Sequence, residues 1–158
     1  MIRIGQGIDV HPFAQERPLI LGGVRIAETN GLAGQSDADA VLHAITDALL
    51  GALGVGDIGA FFPSDDARWE GADSAIFARE ALGFVTRRGF RIANLDVTVV
   101  AERPKLAPHR DTIRESIASI LSIEADRVSV KATTTDHLGF LGRAEGLAAF
   151  AIVLVESR

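Results

Sequence analysis

The sequence predicts an α+β domain built around a mixed β-sheet. Three features of the chain predict it. Strand-like runs dominate the beginning and recur near the end, amphipathic helical runs lie between them, and the two kinds of element do not alternate regularly as they do in βαβ proteins. The 158 residues fit one domain with room for a proper core, and we assign residues 1–158 to it.

The first half of the chain predicts two strands, a helix and a long loop. Residues 2–11 and 19–26 are strand-like, and prolines and a glycine pair punctuate them. Ser36 is a good N-cap for the helix that follows, and Asp39, three residues on, resembles the acid of a capping box. Apolar residues at helical spacing continue as far as Leu53. Residues 54–71 are rich in turn-forming residues and predict a loop, and loops of this length are usually functional or mobile.

The second half predicts two helices and three strands. The helices are expected over 72–88 and 108–121, with a proline in the first turn of the latter, and the strands over 94–101, 128–134 and 147–155. The last run is apolar at every position, so both faces of that strand need cover. Because the helices are too few to cover both faces of the sheet, we favour an oligomer.

Composition limits the chemistry and the partners. The absence of Cys excludes thiolate zinc sites, Cys nucleophiles and disulfides, so any transition metal must be held by His and carboxylates. A net charge of −5 argues against nucleic acid as a partner, although a local cluster of Lys and Arg can still bind a small phosphate ester. No apolar run approaches the roughly 20 residues that span a bilayer, and no signal peptide is recognisable, so we expect no membrane partner and a cytoplasmic protein.

Three residues form a candidate metal site. Asp9 and His11 in "GIDVH" point to one side of an extended chain. His43 lies on the capped helix, and Asp39 and Asp47 at i−4 and i+4 flank it on one polar stripe of the helix surface. One Asp with two His is a ligand set of catalytic zinc sites, where the fourth position stays open, and a neighbouring carboxylate could fix the imidazole tautomer. The alternative is a strand end and a helix face that only meet water.

A second segment could bind phosphate. Residues 130–146 contain three successive threonines, whose hydroxyl and backbone N–H groups suit phosphate oxygens, and Lys131 and Arg143 add positive charge. The alternative is an ordinary β-branched strand end.

A third segment, residues 101–109, could form a rigid ligand-reading loop. Pro104 and Pro108 stiffen it, and Lys105 projects from it. The alternative is a strand that a proline ends before a helix. The chain contains no dinucleotide fingerprint, no P-loop and no G-x-S-x-G motif.

Taken together, these segments resemble the 2-C-methyl-D-erythritol 2,4-cyclodiphosphate synthase family of the non-mevalonate isoprenoid pathway. The matching stretches cover essentially the whole chain: "GIDVH", "PLILGGV", "SDADAVLHAITDALLGALGVGDIGAFFP", "GADS", "PKLAPH", "VKATTTD" and "LGFLGRAEG". The resemblance implies a homotrimer of four-stranded mixed sheets, with helices on the outer face, the other face toward the threefold axis, and active sites between subunits. It also implies a phosphorus–oxygen lyase that cyclises 4-diphosphocytidyl-2-C-methyl-D-erythritol 2-phosphate and releases CMP.

The resemblance also implies roles for individual residues. Asp9, His11 and His43 match the zinc ligands, Asp136 matches a ligand of a second divalent ion, Mg²⁺ or Mn²⁺, and Thr134 matches a residue that assists phosphoryl transfer. Arg143 and Glu145 match residues near a central cavity where isoprenoid diphosphates can bind. The positions implied to contact substrate are Asp9, Val10, His11, Gln35, Ser36, Asp57, Ile58, Gly59, Phe62, Pro63, Ser64, Asp65, Asp66, Ala101, Glu102, Arg103, Pro104, Lys105, Leu106, Ala107, Thr133, Thr134, Thr135, Asp136, Phe140 and Arg143.

Two positions depart from the family pattern. Gln35 stands at a catalytic position where the family usually has His, and an amide can donate a hydrogen bond but cannot carry positive charge. Asp136 is the shorter acid where many relatives have Glu. A second hypothesis therefore stays open, in which the protein is an impaired trimer that only binds metal and a cytidine nucleotide or isoprenoid diphosphate.

Overall fold

The computed structural model describes residues 1–158 and contains seven strands and five α-helices. The prediction of an α+β fold with a mixed sheet is confirmed. In chain order the strands are β1 (Ile2–Ala14), β2 (Leu19–Leu21), β3 (Val24–Ala27), β4 (Gly31–Leu32), β5 (Phe90–Val100), β6 (Val128–Thr133) and β7 (Gly146–Ser157). The helices are α1 (Ala40–Leu53), α2 (Ile58–Phe61), α3 (Ala75–Arg87), α4 (Arg110–Leu121) and α5 (Gly139–Gly142).

The main sheet has five strands in the order β4-β1-β7-β5-β6, and only β5 and β6 are parallel. The prediction of four strands is wrong by one short edge strand. Strand β1 continues past His11 to Ala14, and β4 pairs with Phe13 and Ala14 there. A two-residue strand is too short to produce a period in the sequence, so it could not be predicted.

The run predicted as one strand over 19–26 is a hairpin of β2 and β3. Gly22 and Gly23 lie at the turn with φ of 60° and 78°, and a two-residue hairpin turn of this kind requires positive φ at both positions.

Asp39 joins this hairpin to helix α1. Its buried carboxylate accepts hydrogen bonds from the N–H groups of Gly22 at 2.9 Å, Gly23 at 2.7 Å and Leu42 at 3.0 Å. Burial raises the pKa of Asp39 to about 6, and these N–H groups oppose that rise. Asp39 is therefore the N-cap of α1, so the prediction of Ser36 as N-cap is wrong, as is the prediction of Asp39 on a polar stripe with His43.

Helix α1 lies directly on β1 because two glycines remove the side chains between them. A Cβ atom at Gly5 would lie 1.8 Å from the Ala48 carbonyl oxygen, and one at Gly7 would lie 1.9 Å from the Ala44 carbonyl oxygen. The strand that carries Asp9 and His11 is thus held at a fixed, short distance from the helix that carries His43.

Residues 54–71, predicted as a loop, contain α2 and a 3-10 turn over Ala67–Trp69. Aspartates fix both elements. Asp57 accepts from Ala60 N–H at 2.9 Å, Asp66 accepts from Arg68 N–H at 3.0 Å, and Asp47 on α1 accepts from Ile58 N–H at 2.7 Å. These short elements are stabilised by carboxylates that bond to their first N–H groups, and they are too short to show the apolar periodicity by which a longer helix is predicted.

The remaining elements agree with the prediction apart from their ends. Helix α3 starts three residues later than expected, and β5 starts earlier, at Phe90. Pro108 lies in a 3-10 turn over Ala107–His109 that precedes α4, not inside the helix. None of the helices combines the length and apolar composition that crossing a membrane requires.

The main sheet is covered on one face only. On β7, Leu147, Ala149, Ala151, Val153 and Val155 are buried against the helices. The residues on the other face are apolar but open: 67% of Ile4, 49% of Ile8 and 48% of Ile152 is exposed. The continuously apolar last strand predicted a second apolar sheet face that the helices of the chain do not cover, and this exposed face is that one.

Candidate metal centre and active site

Strand β1 and helix α1 bring the three predicted metal ligands together. The Asp9 Oδ2 atom lies 2.8 Å from His11 Nε2 and 3.2 Å from His43 Nδ1. One ligand atom from each residue lies within 4.8 Å of the other two, and all three side chains are partly buried. Three donors on one side of a cavity fit the open catalytic form of a zinc site. A solvated strand end and helix face, the alternative from the sequence, does not describe this cluster.

Hydrogen bonds orient both imidazoles. His11 Nδ1 lies 2.6 Å from the Ala33 carbonyl oxygen, which can only accept, so Nδ1 carries a proton and Nε2, on the side of Asp9, is the nitrogen available to a metal. His43 Nε2 lies 2.8 Å from Ser74 Oγ, and the Ser74 hydroxyl donates to Asp37. Partners of this kind fix the tautomer of a metal ligand.

The Asp37 carboxylate anchors this arrangement in the backbone. It accepts from Ser74 N–H at 3.1 Å and from Asp39 N–H at 3.0 Å. We expected a neighbouring carboxylate to fix the His43 tautomer, with Asp39 and Asp47 flanking it in the sequence, but the acid that reaches His43 through Ser74 is Asp37. Asp37 lies in the stretch "SDAD" and Ser74 in the stretch "GADS". Nothing in the sequence predicts that these two stretches are in contact.

The charges of the site respond to one another. Burial raises the pKa of Asp9, but hydrogen bonds to His11 and His43 and their charge outweigh burial and hold that pKa below its usual value. The hydrogen bond to Asp9 raises the pKa of His11. Asp9 therefore stays ionised to a lower pH than a free aspartate, and a proton competes with a metal for His11.

A cavity of about 270 Å³ opens above the three ligands. Phe62, Trp69 and Phe77 form an aromatic wall, with ring centroids 4.7 Å apart for Phe62 and Phe77 and 5.4 Å apart for Trp69 and each of the other two. The cavity is lined by Asp9, His11, Gln35, Ser36, His43, Ile58, Gly59, Phe62, Ser64, Trp69 and Phe77. Trp69 and Phe77 were missed because nothing in their spacing separates a cavity wall from an ordinary core.

Gln35 links the floor of this cavity to its wall. Its Nε2 donates to the Asp66 carbonyl oxygen at 3.0 Å, and its backbone carbonyl accepts from Gly71 N–H at 2.7 Å. Its Oε1 atom is buried without a partner. One of the two N–H donors of the Gln35 amide is thus engaged by the segment that follows Phe62, and Oε1 remains free to accept.

The predicted phosphate-binding segments form a second region at the ends of β5 and β6. Glu102 lies beside Thr135 and His137, and Lys105 and Thr134 are exposed. A cavity of about 90 Å³ lies between the two segments and is lined by Leu106, Ala107, Arg110, Val130, Lys131 and Ala132.

Carboxylates already pair two of the predicted cations. Lys131 bonds to Asp96, and Arg143 Nε lies 2.7 Å from Glu145 Oε1. Both pairs are largely exposed, so their strength is modest and a phosphate can compete for the cations.

The two regions lie apart within one chain. Strand β6 is three positions from β1 in the sheet, and at about 4.8 Å per strand this separates Thr133 from His11 by about 14 Å. Of the other predicted residues, Asp57, Pro63, Asp65 and Asp66 lie in the segment around Phe62. Val10 and Phe140 line a separate cavity of about 270 Å³ that also contains Glu145.

Fold and site together define an α+β protein whose Asp-His-His donor set is arranged as a metal ion would need it, beneath an open cavity. Residues 2–156 match the YgbB family, and the chain belongs to this family. A curated relative from Geobacter sulfurreducens, 2-C-methyl-D-erythritol 2,4-cyclodiphosphate synthase, is 55% identical over 99% of this chain and 100% of its own length.

Two solved structures are similar to this one. The bifunctional IspDF from Campylobacter jejuni superposes with a TM-score of 0.97 and 42% identity, over 100% of this chain and 43% of the larger protein. IspF of Plasmodium falciparum, solved as a CDP complex, has a TM-score of 0.88 and 37% identity, over 99% of this chain and 97% of that one.

Proposed function

We propose that this protein cyclises 4-diphosphocytidyl-2-C-methyl-D-erythritol 2-phosphate to 2-C-methyl-D-erythritol 2,4-cyclodiphosphate and releases CMP. The observation that carries the proposal is the assembled donor set of Asp9, His11 and His43 beneath an open cavity. Family membership supports it, because the curated relatives are named for this product.

The reaction suits a chain without a covalent nucleophile. An oxygen of the substrate's 2-phosphate forms a bond to the β-phosphorus, the bond from that phosphorus to the bridging oxygen breaks, and the bridging oxygen leaves with CMP. Phosphoryl transfer of this kind needs positioning and charge neutralisation more than proton transfer. Zinc held by Asp9, His11 and His43 would polarise a phosphate oxygen.

The residues of this chain then bind and orient the substrate. Ser36, Ile58 and Gly59 face the cavity and are placed to contact the methylerythritol phosphate. The small cavity beside Leu106 and Ala132 suits the cytosine ring, because it is narrow and lined mostly by apolar side chains. The substrate contacts implied by the family resemblance, from Asp9 to Arg143, belong to this proposal, except for Glu102, whose carboxylate accepts from the N–H groups of Thr135 and His137.

The diphosphate belongs at the ends of β5 and β6. Lys105 supplies a mobile positive charge, and the Thr134 hydroxyl a donor to the transferring group. Asp136 is exposed and gives one oxygen ligand, which fits Mg²⁺ or Mn²⁺, since such ions are usually held by one or two carboxylates together with substrate phosphates.

The working form that we propose is a cytoplasmic homotrimer of one domain, residues 1–158. The exposed apolar face around Ile4, Ile8 and Ile152 supports a trimer in which this face surrounds the threefold axis. The separation of the metal ligands from Thr134 within one chain supports active sites shared between subunits. The cavity beside Phe140 and Glu145 is then where an isoprenoid diphosphate would bind near the axis.

A second candidate is a module that binds metal and cytidine nucleotide without turnover. Gln35 favours it, because a neutral amide carries no positive charge toward the substrate and one of its N–H groups is already engaged with the Asp66 carbonyl oxygen. We assign Gln35 a catalytic position and expect slower turnover than a His there would give.

Phosphorus NMR of the protein with substrate, zinc and Mg²⁺ separates the two candidates. The cyclic diphosphate and CMP are expected in equal amounts, and unchanged substrate would leave only the binding module. His43→Ala should lose both zinc and turnover, whereas His137→Ala, which changes a side chain that is 86% exposed, should keep the zinc. Full zinc occupancy in His43→Ala would contradict the ligand assignment.

A further inference from the structure

The turn after β6 has a backbone that needs support. Asp136 has φ of 52° and His137 has φ of 65°, so two successive residues with side chains lie in the left-handed region. Positive φ is uncommon for residues other than Gly, and although Asp and His adopt it more readily than most, two in succession persist best where their surroundings hold the turn. Thr134 and Asp136, which the proposed function requires, are placed by this turn.

Glu102 supplies the support from the neighbouring strand. Its Oε1 accepts hydrogen bonds from Thr135 N–H at 3.2 Å, from Thr135 Oγ1 at 3.4 Å and from His137 N–H at 3.1 Å. Its side chain is only 12% exposed. The carboxylate is therefore turned into the protein rather than toward a ligand.

The parallel pairing of β5 and β6 makes this contact possible. Val100 pairs with Thr133, and Ala101 N–H donates to the Thr133 carbonyl oxygen at 3.0 Å. Both strands end at the same edge of the sheet, so the second residue past β5 faces the turn past β6. The remaining N–H of the turn, on Asp136, is accepted by Thr134 Oγ1 at 3.2 Å.

We propose that Glu102 is a positioning residue, which fixes the turn Thr134–His137 for phosphoryl transfer and does not itself touch the substrate. The proposal deepens the proposed function and rests on it. Engaging the carboxylate with two backbone N–H groups also keeps its negative charge away from a diphosphate bound at the exposed side of the turn. The Glu102 side chain thus differs in role from its neighbour Lys105, whose charge faces the solvent.

Three variants test this role: Glu102→Ala, Glu102→Gln and the control Glu80→Ala, which changes an exposed glutamate on α3. In Glu102→Ala the amide protons of Thr135 and His137 should exchange about ten- to a hundredfold faster in NMR hydrogen exchange, because each loses a charged acceptor. The kcat should fall by roughly ten- to a hundredfold, with a smaller change in KM, because the reacting groups are misplaced and not removed.

Glu102→Gln should restore most of the protection and the kcat, because its Oε1 still accepts from the same N–H groups, and Glu80→Ala should change neither. Unchanged exchange in Glu102→Ala, or faster exchange with unchanged kcat, would overturn the proposal. A Gln variant as slow as the Ala variant would overturn it too, since the charge would then matter and not the acceptor.

Failure of the proposed function gives a different pattern. If the wild-type protein forms no cyclic product, the function is wrong, and the exchange experiment still decides whether Glu102 holds the turn. CDP titrated calorimetrically with Mg²⁺ then replaces kcat as the second measurement. Glu102→Ala should bind CDP about tenfold more weakly than Glu102→Gln, and equal affinities would overturn the positioning role.

Discussion

Replacing Gly7 by Ala should separate the metal ligands without changing any of them. A Cβ atom there would lie 1.9 Å from the Ala44 carbonyl oxygen and 2.8 Å from Ala48 N. Ordinary contact begins at about 3.4 Å, so helix α1 must move about 1.5 Å away from β1. The obstacle is helix backbone, which cannot rotate away as a side chain could.

That movement carries His43 away from Asp9 and His11. Zinc–nitrogen bonds are about 2.0–2.1 Å long and tolerate deviations of only about 0.2 Å. We therefore expect zinc affinity to fall at least about 100-fold, the upper range for loss of a supporting contact. Overpacking should also lower the free energy of unfolding by about 1–3 kcal/mol or somewhat more.

Competition with a chromophoric chelator measures the zinc affinity, and urea unfolding followed at Trp69 measures the stability. Gly51→Ala is the matched control on α1, because its Cβ would meet only the Gln6 carbonyl oxygen, at 3.7 Å. It should bind zinc normally and gain about 0.5–1 kcal/mol from helix propensity. Wild-type zinc affinity and an unchanged urea midpoint in Gly7→Ala would refute the close-packing argument.

Three further outcomes are expected. Ser74→Ala should weaken zinc binding about tenfold, because His43 loses the partner that fixes its ring, and chelator competition that shows no change would exclude this role. Gln35→His should raise kcat by roughly ten- to a hundredfold in the phosphorus NMR assay, since a charged donor can act where the amide cannot, and no gain would remove that explanation of the departure. The N–H groups of His137 and Thr135 lower the pKa of Glu102 from its ordinary 4.5, so its contribution to stability is present above that value and lost as pH falls through the lowered pKa. In urea unfolding, Glu102→Gln should be less stable than wild type at pH 7 and equally stable once wild-type Glu102 is protonated, and a gap that does not depend on pH would contradict this.

The sequence predicts those parts of the fold that are set by long periods. Helix α1 and strands β1 and β7 follow from apolar spacing, and the strand period alone places Asp9 and His11 on one side. The sequence cannot show how far His43 lies from them, because that distance depends on two glycines that let the helix touch the strand.

The parts that were missed depend on single side chains bonding to backbone. Asp39 was taken for a polar surface residue of α1, yet it is buried and caps both the helix and the β2–β3 turn. Short element α2 depends on Asp47 and Asp57 in the same way. A carboxylate in the sequence looks identical whether it faces water or three N–H groups, so only the fold distinguishes these cases.

The strand order has a genetic consequence. In the homotrimer that we propose, β1 of one subunit and β6 of its neighbour would form one site. A chain with a defective metal centre and a chain with a defective Thr134 segment would then carry damage in different halves of that site. If a cell makes both chains in equal amounts and they assemble at random, about a quarter of all sites would combine two intact halves. Two alleles that are each inactive alone would then give activity together, so a cross between them reports on the sharing of sites without any purified protein.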